Sequence, residues 1–338
     1  MLDFSPLAGS AGGTPLVVLL AVLILDLVLG LVPQVGRRLH PPLPGIRPLF
    51  AEIERRLNRQ RRSVANRIVR GAVVASAAAV LAAGLGWGLW RAAIAFPFGI
   101  AAEVVVLFLA LTQSQVVGAM GAAADRLADQ DPAAARAALA AMAAGNHGVA
   151  GNHDDVDAFG IARMAVEEGA RGFLKRLTAP IFWYCLAGLP GVFLYGTTLA
   201  MAAVFAARGP QADAFGLAAR RFHEVLDYLP ARLAGVILLL GGVFLPNAAP
   251  AMGVAILRRH AKRYPGPNGG WLLAPLAGVL GLALCGPGGT RPSQGGWIGD
   301  GRARVNPVDI RRAVYLLTVG GLILAAAVAA LLLAKLAL

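Results

Sequence analysis

The sequence predicts an all-α, polytopic integral membrane protein with four to six spans, some of its helices being re-entrant or interfacial. Hydrophobic residues make up 57% of the 338 residues and charged residues only 14%, whereas soluble domains average about 25% charged residues. The mean hydropathy is +0.66. The apolar residues also form runs long enough to cross a bilayer, which takes about 20 residues of helix. We therefore expect a single membrane domain over residues 1–338.

The charge distribution predicts how this domain is oriented. The formal net charge of +13 results from 31 Lys and Arg against 18 Asp and Glu. The cations occupy loops between apolar runs and form no basic stripe with interleaved aromatic residues, so membrane lipid and not nucleic acid is the expected partner. By the positive-inside rule, the basic segments 33–70 and 118–178 are predicted to be cytoplasmic, with the N-terminus outside. The expected location is the bacterial inner membrane.

The first apolar run, Thr14 to Val32, is interrupted only by Asp26 and is predicted to be a span. The residues before it lack the positive region of a cleavable signal peptide, so we expect this run to stay as an anchor. In the following basic segment, Leu49-Phe50, Ile53 and Leu57 recur at helical spacing opposite arginines. This pattern predicts an amphipathic helix on the inner membrane surface.

Two further spans are predicted at Gly71 to Trp90 and Phe96 to Val117, joined by a short external turn. The alanine-rich stretch from Ala122 to Ala144 should form a helix, which the loop 145–157 ends. The last span is predicted at Ala313 to Leu338, with the C-terminus outside.

Two apolar blocks allow two topologies. Ala179 to Ala207 contains Gly188-Leu189-Pro190-Gly191, and Leu233 to Leu257 contains Pro246-Asn247-Ala248-Ala249-Pro250. Each block either crosses the membrane with a kink, or enters and returns. If both cross, the arginine-containing segment between them lies outside, against the charge rule. Entry and return keep every large basic loop cytoplasmic and are favoured.

Acidic residues within apolar sequence are the first candidates for function, because a carboxylate in the membrane is energetically expensive. Asp26 and Glu103 could bind a substrate amine, or could pair with an arginine inside the helix bundle. Cys185 and Cys285 have no metal or redox spacing and are expected to be buried, inert thiols.

Three polar segments are further candidates, each with a structural alternative. Glu224 and Asp227 could transfer protons, or could belong to a solvated helix face. Gly299-Asp300-Gly301-Arg302 suits phosphate contact, or a tight turn before a helix. The segments Gly145-Asn146-His147 and Gly151-Asn152-His153, with Asp154, Asp155 and Asp157, fit no zinc or calcium spacing, so no metal site is expected. The sequence contains no phosphate-binding P-loop, dinucleotide-binding fingerprint or nucleophile elbow.

The cationic block from Arg258 to Arg263 precedes the turn Pro265-Gly266-Pro267-Asn268-Gly269-Gly270-Trp271, between two apolar stretches. In a membrane protein, such a polar loop at the bilayer surface is where soluble substrates meet the chain.

In their order and spacing, these pieces resemble the adenosylcobinamide-phosphate synthase (CobD/CbiB) family of cobalamin biosynthesis, over nearly the whole chain. The pieces are Leu25-Asp26-Leu27-Val28-Leu29-Gly30 before His40-Pro41, Glu103, Ala165-Val166-Glu167, Ala179-Pro180-Ile181-Phe182-Trp183, Phe215-Gly216, Val225 to Leu233, Pro267 to Trp271, Ala277-Gly278, Gly299 to Arg302 and Asp309-Ile310. The resemblance implies a membrane enzyme that joins an aminopropanol, free or phosphorylated, to a carboxyl group of the corrinoid cobyric acid. The corrinoid is then a substrate, activation of the carboxyl group makes ATP and Mg²⁺ candidate cofactors, and other cobalamin-pathway proteins become candidate partners.

From these pieces we expect a site on the cytoplasmic side, with Asp26 and Glu103 approaching it from membrane depth. The expected catalytic residues are Glu167, Asp300, Glu224 and Asp227, and the expected substrate-binding residues are Asp26, Glu103, Arg232, Asn268, Trp271 and Arg302.

The chain also departs from the family pattern. Arg171 and Lys175 replace acidic or amide residues, and Ala202 and Leu273 replace acids. We therefore expect weak or absent synthase activity. One alternative is a divergent synthase, and the other is a non-catalytic membrane relative that binds a corrinoid or a partner protein. A generic membrane transporter is a third possibility.

Overall fold

The protein is all-α. A computed structural model describes residues 14–31, 45–59, 61–96, 99–146, 156–205, 210–286 and 296–337, and these residues form thirteen α-helices and no strand. Four of the helical segments are long and apolar enough to cross a membrane, or five if one bent pair of helices counts as a span. The predicted fold class and the lower part of the predicted span count are thus confirmed.

The first three helices are α1 (Thr14–Leu31), α2 (Arg47–Leu57) and α3 (Val64–Ala95). Ser63 caps α3 by accepting a hydrogen bond from the amide of Asn66 at 3.4 Å. Helix α2 is amphipathic as predicted, but much of its apolar face packs on protein instead of on lipid. Phe50 is buried there, in a cluster with α8 and α9.

The third predicted span is a broken helix, formed by α4 (Gly99–Ala110) and α5 (Gln113–Ala128). The predicted alanine-rich helix is likewise divided between α5 and α6 (Pro132–Asn146). Gln130 at the division has φ +58°, and Asp131 accepts a hydrogen bond from the amide of Ala134 in the first turn of α6.

Helices α7 (Ala158–Phe173) and α8 (Ala179–Phe205) are joined by a π-helical turn, Leu174–Thr178. The sequence places α7 in a polar cytoplasmic segment, yet most of its side chains are buried inside the bundle. Because π-turns occur mostly at functional sites, this junction is a candidate position for chemistry. The side of the membrane on which α7 lies stays a prediction.

Helix α8 folds back on itself at Gly188, whose φ of 60° and ψ of −149° are not helical. A Cβ atom on Gly191 would lie 2.4 Å from the carbonyl oxygen of Trp183, although eight residues of straight helix span about 12 Å. The returning half packs along α3, and the ring of Phe205 lies 6.0 Å from that of Phe50. The helix is therefore sharply broken at Gly188, while Ala158–Phe205 as a whole is long and apolar enough to span a membrane, so entry and return of this block stays a prediction.

The second ambiguous block contains two packed helices joined by a turn, and a bend precedes it. Helices α9 (Pro210–Leu226) and α10 (Tyr228–Gly242) form the bent pair, at an angle of 46°. A turn then leads into α11 (Pro250–His260). A Cβ atom on Gly253 of α11 would lie 2.6 Å from Cδ2 of Leu239 on α10, so the two helices pack against each other.

The last two helices are α12 (Gly269–Leu280) and α13 (Pro307–Ala337). Between them, residues 281–286 and 296–302 form a short bridged segment, which we call the cap. Isolated backbone bridges join Leu282 to Arg302 and Leu284 to Ile298. His40, Pro41 and the histidines and aspartates of residues 147–155 lie outside the described residues.

Candidate functional site

Glu167 lies at the centre of a buried group of charged side chains. It is on α7 beneath the cap, and its Oε1 accepts a hydrogen bond of 2.7 Å from the backbone amide of Cys285. Its Oε2 makes no hydrogen bond and lies 3.5 Å from Nη2 of Arg171, one helical turn further on. Arg171 also forms an ion pair with Glu168. One buried guanidinium therefore forms ion pairs with two buried carboxylates.

The cap links Glu167 to Asp300. Cys285 follows one partner of the bridge between Leu284 and Ile298, and Gly299 follows the other. The amide of Gly299 donates to Nδ1 of His260 at 3.0 Å, and Asp300 forms an ion pair of 2.8 Å with Arg259. Glu167 and Asp300 therefore lie at the same small structural unit, with Asp300 half-exposed and Glu167 fully buried.

Burial lowers the pKa of His260, and the nearby cations of Arg263 and Arg259 add to this effect. Asp300 opposes it, because a carboxylate favours the charged imidazole. Burial also raises the pKa of the Cys285 thiol, and the negative charge of Glu167 acts in the same direction. Cys285 thus contributes its backbone amide and stays a neutral thiol, in agreement with its predicted inertness.

Asp227 holds a second buried group, at the bend between α9 and α10. The hydroxyl of Tyr195 donates to its Oδ1 at 2.8 Å, and Nε2 of His223 lies 3.2 Å from its Oδ2. Lys175, in the π-helical turn, has a favourable charge interaction with it. The returning half of α8 supplies Tyr195, so the fold-back at Gly188 is what brings this hydroxyl to Asp227.

Asn268 connects the polar turn before α12 to α9. Its Nδ2 donates to the backbone carbonyl of Glu224 at 2.7 Å, whereas its Oδ1 is buried and has no hydrogen-bond partner. The ring of Tyr264 packs against Gly269 and is an electrostatic neighbour of Arg171. The Glu224 carboxylate itself is partly exposed and pairs with Arg221 at 2.8 Å. Glu224 thus contacts Asn268 through its backbone carbonyl, and its carboxylate is not a buried acid.

Arg232 and Trp271 form a separate aromatic stack. The guanidinium of Arg232 lies over the rings of Tyr228 and Trp271, at 3.4 and 4.7 Å from their centroids. Its Nη1 donates to the carbonyl of Tyr228 at 2.6 Å. This stack is on the outer face of α10.

The two intramembrane acids occupy different places. Asp26 accepts a hydrogen bond of 2.7 Å from Oγ of Ser114 and is an electrostatic neighbour of Arg176. Glu103 accepts a hydrogen bond of 2.6 Å from the hydroxyl of Tyr184. Tyr184 lies eight residues beyond Arg176, about 12 Å along the helix. Asp26 therefore borders the charged π-helical turn, while Glu103 lies apart from it.

Arg302 and Asp309 fix the start of α13. Arg302 pairs with Asp309 at 2.8 Å, and Oδ2 of Asp309 accepts the backbone amide of Asn306 at 3.0 Å. This arrangement is a helix cap closed by a salt bridge, which is the structural alternative considered for this loop.

The structure thus links Glu167 to Asp300 through the cap, places Asp227 near Lys175 of the π-helical turn, and joins Asn268 to the backbone of Glu224. Glu103, Arg232 and Trp271 have other partners. Sequence reasoning missed several members: Arg163, Glu168, Tyr195, His223 and Tyr264. Arg163 illustrates why, because it reaches the cap from a distant part of the chain and stacks on Trp297 at 4.9 Å. For Glu168, its spacing of three residues from Arg171 was an available signal.

The charged group around Glu167 does not suit a Mg²⁺ ion, because Mg²⁺ is bound through one or two carboxylates that are free to coordinate it. Glu167 and Glu168 are both engaged by Arg171. Within the part of the chain that the structure describes, no three His, Cys, Asp or Glu side chains meet as a ligand set. We therefore derive no chemical step through a metal.

Several helices long and apolar enough to span a membrane, with charged side chains buried between them, define a polytopic membrane protein. The particular family follows from comparison with known proteins. A sequence model of the CobD/Cbib protein family matches residues 18–317, so the chain belongs to this family. The resemblance noted in the sequence is thereby confirmed.

The curated relatives are divergent, and the three described here carry the name cobalamin biosynthesis protein CobD. The protein of Rhodobacter capsulatus is 28% identical over 298 residues, which cover 86% of this chain and 89% of that protein. The Brucella anthropi protein is 27% identical over 309 residues, with 89% and 92% coverage. The Brucella melitensis protein is 32% identical over 190 residues, and there the match spans only 56% of either chain. No solved structure matches the chain.

Proposed function

We propose that this chain acts in cobalamin biosynthesis in the bacterial inner membrane, where it binds a corrinoid and an aminopropanol-type amine at the Glu167 group. The names of its relatives support the pathway. The observation that carries the proposed site is a pair of buried acceptor atoms that make no hydrogen bond, Asn268 Oδ1 and Glu167 Oε2, the second of which also lies 3.5 Å from Nη2 of Arg171.

These two atoms indicate the chemistry of the ligand. A buried acceptor without a donor costs about 1–3 kcal/mol, so a ligand that supplies donors gains affinity by relieving that cost. An amino alcohol carries two such donors, an amine and a hydroxyl group. Tyr264, between Arg171 and Gly269, connects the two parts of the group.

The finer proposal is that the protein forms an amide bond. ATP is the co-reactant of this proposal: it first transfers a phosphoryl group to the carboxyl oxygen of cobyric acid, and the amine nitrogen then attacks the carboxyl carbon. A C–N bond forms, the bond from that carbon to the phosphorylated oxygen breaks, and phosphate leaves. The amine must be neutral to attack and must lose a proton afterwards, which needs a nearby acceptor. The buried carboxylates of Glu167 and Asp227 are the candidate acceptors, and the half-exposed Asp300 lies at the same cap.

A second candidate function is favoured by a specific contact. Arg171 already neutralises Glu167 and Glu168 from within the chain. An ammonium ligand would meet this cation, whereas a phosphate or carboxylate would be attracted by it. The alternative is therefore a non-catalytic relative that retains corrinoid binding without turnover.

A growth test distinguishes the two candidate functions. A synthase-deficient strain is grown on cobyric acid with this chain as its single source of synthase. We expect slow growth that is lost in Glu167→Gln and kept in the control Glu52→Gln, whose carboxylate pairs with Arg55 on the exposed side of α2. No growth, with corrinoid retained by the purified protein, would favour the non-catalytic relative. Neither growth nor corrinoid retention would contradict both.

A further inference from the structure

The stack of Arg232 with Tyr228 and Trp271 has a feature that the substrate site does not explain. The guanidinium lies 3.4 Å from the ring centroid of Tyr228 and 4.7 Å from that of Trp271, and its Nη1 donates to the carbonyl of Tyr228. Within the described residues, no carboxylate pairs with this cation. Its remaining N–H groups form a pre-oriented edge, and guanidinium edges bind phosphate or carboxylate oxygens in a bidentate manner.

The surface around the stack is apolar. Helix α10 exposes a run of large apolar side chains on the same face as Arg232, because their spacing of three and four residues returns to one side of the helix. The run consists of Leu229, Leu233, Val236 and Leu240, each at least 38% exposed. From Arg232 to Leu240 the run is about 12 Å long. In a membrane protein such a surface faces acyl chains.

A guanidinium on a lipid-facing surface is stabilised by the phosphate groups of the lipid headgroups. An arginine surrounded by hydrocarbon is costly, so arginines on lipid-facing surfaces lie at the level of the headgroups. Tyrosine and tryptophan rings are enriched at the same level. A guanidinium, two interfacial aromatic rings and an adjoining apolar run therefore match the parts of one phospholipid.

We propose that Tyr228, Arg232 and Trp271 form a binding site for the headgroup phosphate of an anionic phospholipid, whose acyl chain lies along Leu233, Val236 and Leu240. Charge complementarity supports an anionic lipid, because the whole chain carries a formal charge of +13. The proposal is independent of the amide-forming function. It assigns Arg232 and Trp271 a different role from the substrate binding that the sequence suggested.

Native mass spectrometry of the purified full chain tests the site, after exchange into detergent with equal amounts of dioleoyl phosphatidylglycerol and dioleoyl phosphatidylcholine. The wild type should retain phosphatidylglycerol preferentially. In Arg232→Gln this preference should fall about fivefold, which corresponds to the contribution of one arginine at an anionic surface. The control Arg258→Gln removes the same charge from an exposed position in the basic block and should keep the preference. An unchanged preference in Arg232→Gln would overturn the proposal.

A second measurement covers the case in which Arg232→Gln fails to fold. Brominated phosphatidylglycerol should quench the fluorescence of Trp271, obtained as the difference between wild type and Trp271→Phe, more strongly than brominated phosphatidylcholine does. Equal quenching by the two lipids would contradict the site. Inorganic phosphate that displaces the lipid at equal concentration would show that the stack binds free phosphate and is a substrate subsite instead.

Discussion

At the scale of single residues, Arg171 determines what the candidate site can bind. Its side chain is 11% exposed, and its two carboxylate partners are fully buried. Buried ion pairs seldom add much stability over an apolar replacement, but the loss of one partner leaves an uncompensated charge. Arg171 is therefore both a structural counter-ion and the group that an incoming cation would have to displace.

Arg171→Ala should destabilise the protein by roughly 3–5 kcal/mol, because the buried carboxylates of Glu167 and Glu168 then lose the cation that pairs with both. Thermal unfolding in detergent measures this effect. The matched control is Arg55→Ala, which breaks another pair three residues apart, with the arginine 71% exposed; exposed pairs contribute about 0–1 kcal/mol. Equal losses in the two variants would show that the buried group does not depend on Arg171.

His260 should make stability depend on pH. Its pKa is lowered in the folded protein, chiefly by burial, so the folded state binds fewer protons than the unfolded state. The contribution of the neutral imidazole is then complete above the unfolded pKa of about 6.5, and it is lost as pH falls through the lower folded pKa. The unfolding midpoint of His260→Gln should change less between pH 8 and pH 5 than that of the wild type. A steeper change in the variant would contradict this assignment.

At the scale of helices, the sequence predicted where helices form better than how they are broken. Runs of apolar residues predicted most of the spans, because hydrophobic length is a local property. The fold-back at Gly188 was one of two alternatives, since Gly188-Leu189-Pro190-Gly191 is compatible with a kink and with a reversal. The contact between Gly191 and Trp183 shows a sharp break, which depends on tertiary packing, and the choice between the two topologies stays a prediction.

Gly191→Ala should therefore destabilise the reversal in α8, because its Cβ atom would lie 2.4 Å from a backbone carbonyl oxygen. Overpacking of this kind costs typically about 1–3 kcal/mol. Gly196→Ala on the same returning half is the control, because nothing lies within 4 Å of its Cβ position. Unfolding midpoints of the two variants should differ, and a variant Gly191→Ala as stable as Gly196→Ala would contradict the fold-back.

At the scale of the whole molecule, the side of the membrane on which each loop lies stays a prediction. One contact in the structure extends this prediction to the end of α8. Arginine-rich residues 33–70 are expected to be cytoplasmic, and Phe205 packs against Phe50 within that region. Reporter fusions after Arg62, after Arg136 and after Phe205 should therefore all report the cytoplasm. A fusion after Phe205 that reports the outside would mean that α8 crosses completely.

The composition of the site was only partly predictable for a related reason. Glu167, Asp227 and Asn268 stood out as polar residues within apolar sequence, and each is buried in the structure. Tyr195 and His223 were not expected at the site, although His223 directly precedes Glu224, because their contacts with Asp227 depend on how α8 and α9 pack. Their role follows from the reversal that brings α8 alongside α9. Glu103 shows the opposite case, a buried acid that was expected at the site and lies elsewhere in the bundle. There its carboxyl group accepts a hydrogen bond from the hydroxyl of one tyrosine.

The hydrogen bond from Cys285 to Glu167 affects how variation in this family should be interpreted. The donor is a peptide N–H, so nearly every amino acid at position 285 could supply it. What matters is the local path of the chain, since Cys285 has φ +56°, a conformation that glycine and asparagine adopt most readily. Homologues with glycine or asparagine here would thus still hold the acid in the same way. A search for conserved side chains would overlook this half of the interaction, and a search for conserved backbone geometry would find it.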